Sequence, residues 1–213
     1  MILDYFFVSQ NTCPICKEKP RKNSGFCQTC YSKLDLVNYS EYDSDLSMQL
    51  TYPLFYNKFS SDILARFKFR GESHLYKSLA QLMYDCGNKN GIFDRVDLIV
   101  PVPLHWSSYN KRGFNQSKLL AQSIGKLSGI KINDKLIKKT RPTKAQHNLN
   151  KLDRSKNLKD TIRVKEELYD YKVLLVDDVF TTGSTIKSIT DSFKNAPIHI
   201  ETLVLVSGQR IYF

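Results

Sequence analysis

Apolar residues along the chain follow two rhythms. One is the unbroken run, VLLV at 173–176 and LIV at 98–100, which predicts strands covered on both faces of a parallel sheet. A further strand is predicted over 200–206, an aromatic edge strand over 52–59 and a short strand over 134–139. The other rhythm is helical. Leu75, Leu79, Leu82 and Met83 recur at helix spacing after Gly71, as do Leu120, Ile124 and Leu127 behind Asn115, and Ile186, Ile189 and Phe193. SDILARFKFR at 61–70 predicts a short helix with Ser60 or Ser61 as its N-cap. VNYSEYDSDLSMQL at 37–50 is polar and weakly patterned, and reads as a connection. Strands alternating with helices predict an α/β domain on a parallel sheet.

Length adds that 213 residues hold one full α/β domain and a small appendage. No apolar run approaches the roughly 18 residues that span a bilayer. The first ten residues, MILDYFFVSQ, carry Asp4 and no basic stretch, so no signal peptide is expected and cytoplasmic residence is the default. Charge changes the picture more. The formal net charge is +11, and residues 131–165 hold twelve Lys or Arg against three Asp or Glu. The glycine-free part of that segment, 140–160, is long enough to act as a lid. Its excess charge suits a polyanion, either nucleic acid or a pyrophosphate-bearing substrate.

The cysteines point to a metal. Cys13-Pro-Ile-Cys16 and Cys27-Gln-Thr-Cys30 are two CxxC knuckles separated by ten residues. Four thiolates satisfy the tetrahedral preference of Zn²⁺, and a set without His or an open position suits a structural role. An iron–sulfur cluster or a redox switch would draw on the same thiols; zinc is the reading taken. The neighbouring Lys17, Lys19, Arg21 and Lys22 suit either a nucleic acid or the charge of the thiolates themselves. Cys86 stands apart and reads as a packed, inert thiol.

The stretch richest in chemistry is VLLVDDVFTTGST at 173–185. Asp177 and Asp178 arrive where the strand ends, the sheet edge at which α/β ligands sit. Adjacent carboxylates there can accept hydrogen bonds from the vicinal hydroxyls of a ribose. Thr181, Thr182, Gly183, Ser184 and Thr185 then offer hydroxyls and backbone N–H groups at a turn into a helix, a cradle for a phosphate. A Walker A loop is excluded, because no Gly-Lys-Ser/Thr follows the strand. The strand at 97–104 likewise runs into a proline turn, and KRGFNQ at 111–116 follows with Asn115 placed as a helix cap.

The knuckles, PVPL followed by RGFNQ, the basic Thr/Gln/Asn segment and VLLVDDVFTTGST stand in one order. Together they resemble the ComF family of competence-associated phosphoribosyltransferase-like proteins, over essentially the whole chain. The resemblance implies a Rossmann-like type I phosphoribosyltransferase domain over 46–213, behind a four-cysteine zinc module and connection over 1–45. It implies 5-phosphoribosyl 1-pyrophosphate (PRPP) as ligand, with Mg²⁺. Asp177 and Asp178 match the ribose-binding acids, and residues 181–185 the 5′-phosphate loop. Pro101, Val102 and Pro103 match the strand end that forms the pyrophosphate loop, with Arg112 as its cationic contact. Thr143, Gln146 and Arg154 fall in the segment matching the flexible loop over the active site.

The resemblance further implies single-stranded DNA as a partner during natural transformation, near uptake and recombination proteins at the inner membrane. Lys68, Arg70, Lys138, Lys139, Arg141 and Lys144 are the candidate DNA contacts, with Lys68 and Arg70 on a helix that could face either the ribose-phosphate pocket or DNA, and the protein is expected to be cytoplasmic or peripheral rather than membrane-integral. Two readings stay open. One is a transferase that expels pyrophosphate from PRPP toward an unidentified acceptor, in nucleotide metabolism with no DNA role. The other is a binding protein that keeps the PRPP pocket while its basic surface carries DNA. The chain shows no candidate for the hood that selects a nucleobase in the transferases.

Overall fold

The strand built on VLLV organises the molecule. In a computed structural model that describes residues 11–139, 162–164, 171–193 and 199–208, it runs over Lys172–Phe180 as the fourth strand of a six-stranded sheet. In chain order the elements are α1 (Gln28–Tyr31), β1 (Leu36–Asp43), β2 (Met48–Phe55), α2 (Lys58–Phe69), α3 (Tyr76–Lys89) and β3 (Leu98–Pro101). Then come α4 (Trp106–Arg112), α5 (Gln116–Ser128), β4 (Lys131–Ile132), β5 (Ile137–Lys139), β6 (Ile162–Val164), β7 (Lys172–Phe180), α6 (Ser184–Ser192) and β8 (His199–Ser207). The sheet order is β1-β2-β8-β7-β3-β4; only β1 and β2 pair antiparallel, and β5 and β6 form a separate antiparallel ribbon.

The apolar run behaves as its composition requires. Leu174 and Val176 face one core with α2, α3 and α5, while Val173 and Leu175 face a second with α6 and the β5–β6 ribbon. Both faces of β7 are therefore dry, which is what an alternation-free strand demands. The cysteine knuckles are seated on the first core: Cys13, Phe26, Cys27, Cys30 and Leu34 pack in the same cluster as Phe67, Leu75 and Leu79.

Four local expectations change. Residues 37–50 are no connection: 36–43 form edge strand β1, and Tyr39, Glu41 and Asp43 register against Tyr52, Leu50 and Met48 of β2. The polar pattern reflects an edge strand of intermediate burial. The aromatic segment at 52–59 is accordingly an interior strand, paired on its other side with β8, and it ends at Phe55. Helix α2 begins earlier than Ser60. Asn57 is its N-cap, accepting from the Ser60 N–H at 2.7 Å, while the Ser60 hydroxyl accepts from the Asn57 N–H at 2.9 Å. That reciprocal box satisfies two otherwise orphaned donors. Leu127 departs from the core stripe of α5 and lies exposed, and Cys86 is fully buried, its thiol pushed up to about 12 by desolvation.

Candidate functional site

The first candidate site is the sulfur cluster. The Sγ atoms of Cys13, Cys16, Cys27 and Cys30 all lie within 4.8 Å of one another, and Cys16 and Cys27 are 3.8 Å apart. Four Zn–S bonds of about 2.3 Å at tetrahedral angles separate neighbouring sulfurs by roughly 3.8 Å, so the donor set fits that ion. Local backbone makes the geometry. Lys17 takes a positive φ of 62° just after the first knuckle, and its N–H reaches the Cys13 carbonyl at 2.8 Å. The Cys30 N–H donates to Cys27 Sγ at 3.4 Å. N–H groups of Lys19 and Glu18 aimed at Cys16 draw its thiol down to about 6, which prepares a thiolate ligand. Burial pushes Cys30 the other way. The cluster could hold a structural metal ion such as zinc. Two of its basic neighbours are bonded within the module: Arg21 Nε donates to the Thr12 carbonyl at 2.6 Å, and Lys19 Nζ to Thr29 Oγ1 at 3.0 Å on its surface.

The second candidate lies at the carboxyl end of β7. Strand β3 pairs with β7 only as far as Pro101 opposite Val176, with a last bond from the Val102 N–H to the Val176 carbonyl at 2.9 Å. β7 continues alone on that side through Asp177 and Asp178 while still paired with β8. The overrun puts both acids where α5 starts. Ser117 in the first turn of α5 donates its hydroxyl to Asp177 Oδ1 at 2.7 Å, and the Asp178 N–H donates to the same oxygen at 2.9 Å. Desolvation, and then the neighbouring Asp178 charge, nevertheless raise Asp177 to about 6. Asp178 is buried and ion-paired with Lys68 Nζ of α2 at 2.9 Å. Lys139 of β5 is half-buried; desolvation pulls its pKa down and the Asp177 charge pushes it up.

Past the acids the chain turns at Gly183, which has φ +66° and caps α6. A Cβ there would stand 2.9 Å from the Phe180 ring, so the turn needs glycine for space as well as for handedness. An open pocket is lined by Asp177, Thr181, Gly183, Ser184 and Thr185, with Val179, Phe180 and Ile186. Thr182 is outside that lining and donates its hydroxyl to Ser184 Oγ at 3.2 Å.

The other sequence candidates fall in several places. Val102 follows β3, and its carbonyl accepts from Asn115 Nδ2 at 3.1 Å; Pro103 is half-buried beside it. Arg112 ends α4, donates to Gln116 Oε1 at 3.0 Å and covers the Phe69 ring at 4.8 Å from its centroid. Lys68 faces Asp178, whereas Arg70 is exposed and pairs with Asp62 at 3.2 Å. Lys138 is exposed on β5. Arg141, Thr143, Lys144, Gln146 and Arg154 lie outside the described residues. Sequence reading missed Ser117 as a partner of the acids. Its signal was positional: it follows the Asn115 cap, at the start of α5.

Comparison with known proteins adds three relatives. The chain is 33% identical to competence protein F of Haemophilus influenzae over 136 residues, 61% of this chain and 59% of that protein. It is 30% identical to the DNA utilization protein YhgH of Salmonella typhimurium over 184 residues, 83% of this chain and 75% of that one. It is 26% identical to competence protein ComFC of Bacillus subtilis, over 92% of this chain and 79% of that one. No protein-family model matches the chain. A purine phosphoribosyltransferase from Pyrococcus horikoshii aligns over 63% of this chain and 91% of that one, with a TM-score of 0.34 and 11% identity, too distant a likeness to argue from.

Proposed function

The chain belongs to the ComF family of competence and DNA-utilization proteins, and from that premise we propose that it binds PRPP at the carboxyl end of β7 and handles single-stranded DNA during natural transformation. What supports the PRPP half is one observation: Asp177 lines a single pocket with Thr181, Gly183, Ser184 and Thr185. In that reading the ribose hydroxyls donate to the carboxylates of Asp177 and Asp178. The 5′-phosphate accepts from the first-turn N–H groups of α6, where Gly183 brings no capping side chain. Lys68 holds Asp178 in place through its ion pair until the ligand arrives, and Ser117 fixes the rotamer of Asp177. Magnesium, when bound with PRPP, supplies neutralising charge to the pyrophosphate. Arg112 is within the same end of the sheet to meet that charge once it leaves Gln116.

The DNA half rests on the family and on the +11 charge of the chain. Among the described residues no helix is long and apolar enough to cross a membrane, so work beside uptake and recombination proteins at the inner membrane is peripheral in this proposal. The four cysteines hold zinc as a structural ion.

Titration calorimetry with PRPP, with and without Mg²⁺, tests the pocket. Binding that requires Mg²⁺ and is lost in Asp177→Ala with Asp178→Ala is the expected result; unchanged binding in the double variant overturns the site. A pyrophosphate-release assay across nucleobases and single-stranded DNA separates a turning-over transferase from a binding protein.

A further inference from the structure

Three aromatic side chains outside the pocket share an unusual exposure. Phe69 closes α2 and is 69% exposed, and Trp106 and Tyr109 on α4 are 65% and 50% exposed. Trp106, Tyr109 and Arg112 succeed one another at a spacing of three, which puts them on one face of α4. The Arg112 guanidinium then covers the Phe69 ring at 4.8 Å, joining the two helices into one aromatic–cationic surface. By contrast, Phe67, two residues before Phe69, is fully buried in the core. The RFKFR stretch therefore divides its aromatics, one for packing and one for solvent.

Large aromatics left in water need a reason, and a contiguous set of them marks a contact surface. The chemistry here is specific. α4 contributes Lys111 and Arg112 and no acid, in a chain of net charge +11. Flat rings interleaved with cations match an unpaired nucleobase stacked above a phosphate backbone, because every base has a π-face and every linkage a negative charge. A protein partner would more commonly be met by an apolar core with charges at its rim. The position adds meaning, since Phe69 directly follows Lys68, the partner of Asp178.

We propose that Phe69, Trp106, Tyr109 and Arg112 form a stacking platform for the unpaired bases of single-stranded DNA, beside the acid pair. This rests on the DNA half of the function proposed above and assigns it a surface. It also supplies what the sequence lacked, a nucleobase-facing element next to the ribose site.

Trp106 is the only tryptophan in the chain, so its fluorescence reads the platform directly. The test titrates the full chain with a fluorescein-labelled 20-mer of thymidine, following both anisotropy and Trp106 emission, and repeats it with an abasic 20-mer. Expected are saturable quenching by the thymidine strand, several-fold weaker binding of the abasic strand, and an approximately five- to hundredfold loss of affinity in Phe69→Ala with Tyr109→Ala. Those residues are exposed, so folding is spared. If the thymidine and abasic strands bind equally with no quenching, the platform is overturned while DNA binding stands. If neither strand binds at low salt, both fall together. Concentration-dependent shielding of Trp106 without DNA, matched by dimer mass in light scattering, would reassign the surface to a second copy of the chain.

Discussion

Four sulfurs within 4.8 Å of one another come from residues 13–30, whereas the carboxylates of Asp177 and Asp178 are met by Ser117, 60 residues away, and by Lys68 on another helix. Both regions put polar groups against the same apolar core, which holds Cys27 and Cys30 at one place and Val176 at another. The difference lies in what makes each one. The knuckles are shaped by two local turns and repeated chemistry, so their spacing alone specifies them. The acid pair is assembled by topology: β7 overruns β3, and the helices α2 and α5 deliver partners into the gap. A site of the first kind lives or dies as a unit. A site of the second kind is adjustable, one contact at a time.

The largest effect expected from that contrast is loss of the metal. Elemental analysis should find one zinc per chain, and Cys27→Ser should abolish it. Structural zinc sites carry on the order of 10 kcal/mol of apparent binding energy that appears as folding energy. Because Phe26 and Cys30 share a core with Leu75 and Leu79, the loss should lower one cooperative melting transition of the whole domain. Two separate transitions in calorimetry, with only the smaller one lost, would show that the module folds by itself.

Next in size is Asp177→Asn. Folding raises this carboxyl from its ordinary range to about 6, so the native state binds the proton more tightly than the unfolded chain does. Stability contributed by Asp177 is therefore fully present below about pH 4 and falls as pH rises through 6. The asparagine variant should match the parent near pH 4 and exceed it at pH 7.5 by roughly 1–3 kcal/mol in urea unfolding, allowing for partial exposure of the group. PRPP affinity should move oppositely, being lost in the variant. A parent protein whose stability rises between pH 4 and 7.5 through Asp177 would contradict the raised value.

Gly183→Ala ranks third. The positive φ and the 2.9 Å approach to Phe180 together predict a loss of about 1–3 kcal/mol and a weakened phosphate site. Alanine tolerated within a few tenths of a kcal/mol in both stability and PRPP titration would mean that the turn is not the rigid frame of the pocket.

How much of this could be read from the chain follows the same division. The unbroken VLLV and the Asn115 cap were legible because burial on both faces and an orphaned helix end each leave a compositional mark. The four cysteines were legible because ligand spacing is local. Strand β1 was not, since an edge strand of intermediate burial needs no apolar alternation and VNYSEYD resembles a loop. Likewise, nothing in RFKFR says that Lys68 will meet Asp178, for that contact depends on where α2 crosses the sheet. The acids themselves could be named from sequence, but the hydrogen-bond and ion-pair partners that meet them could not.

Ser117→Ala should give the smallest effect and isolates one contact of the assembled site. Its hydroxyl donates at 2.7 Å to Asp177 Oδ1 and favours the ionised carboxyl, opposing the desolvation that raises it. Removing it should push the Asp177 midpoint above 6 in a carbon-detected NMR titration. Stability should fall by about 1 kcal/mol at pH 7.5, since the Asp178 N–H still donates to the same oxygen at 2.9 Å. Near pH 5, where Asp177 is mostly protonated, the loss should shrink, because a neutral carboxyl depends less on that donor. An Asp177 midpoint unmoved or lowered by the substitution would mean that Ser117 does not set its charge. The acid pair would then be governed by β7 itself, as local in origin as the knuckles.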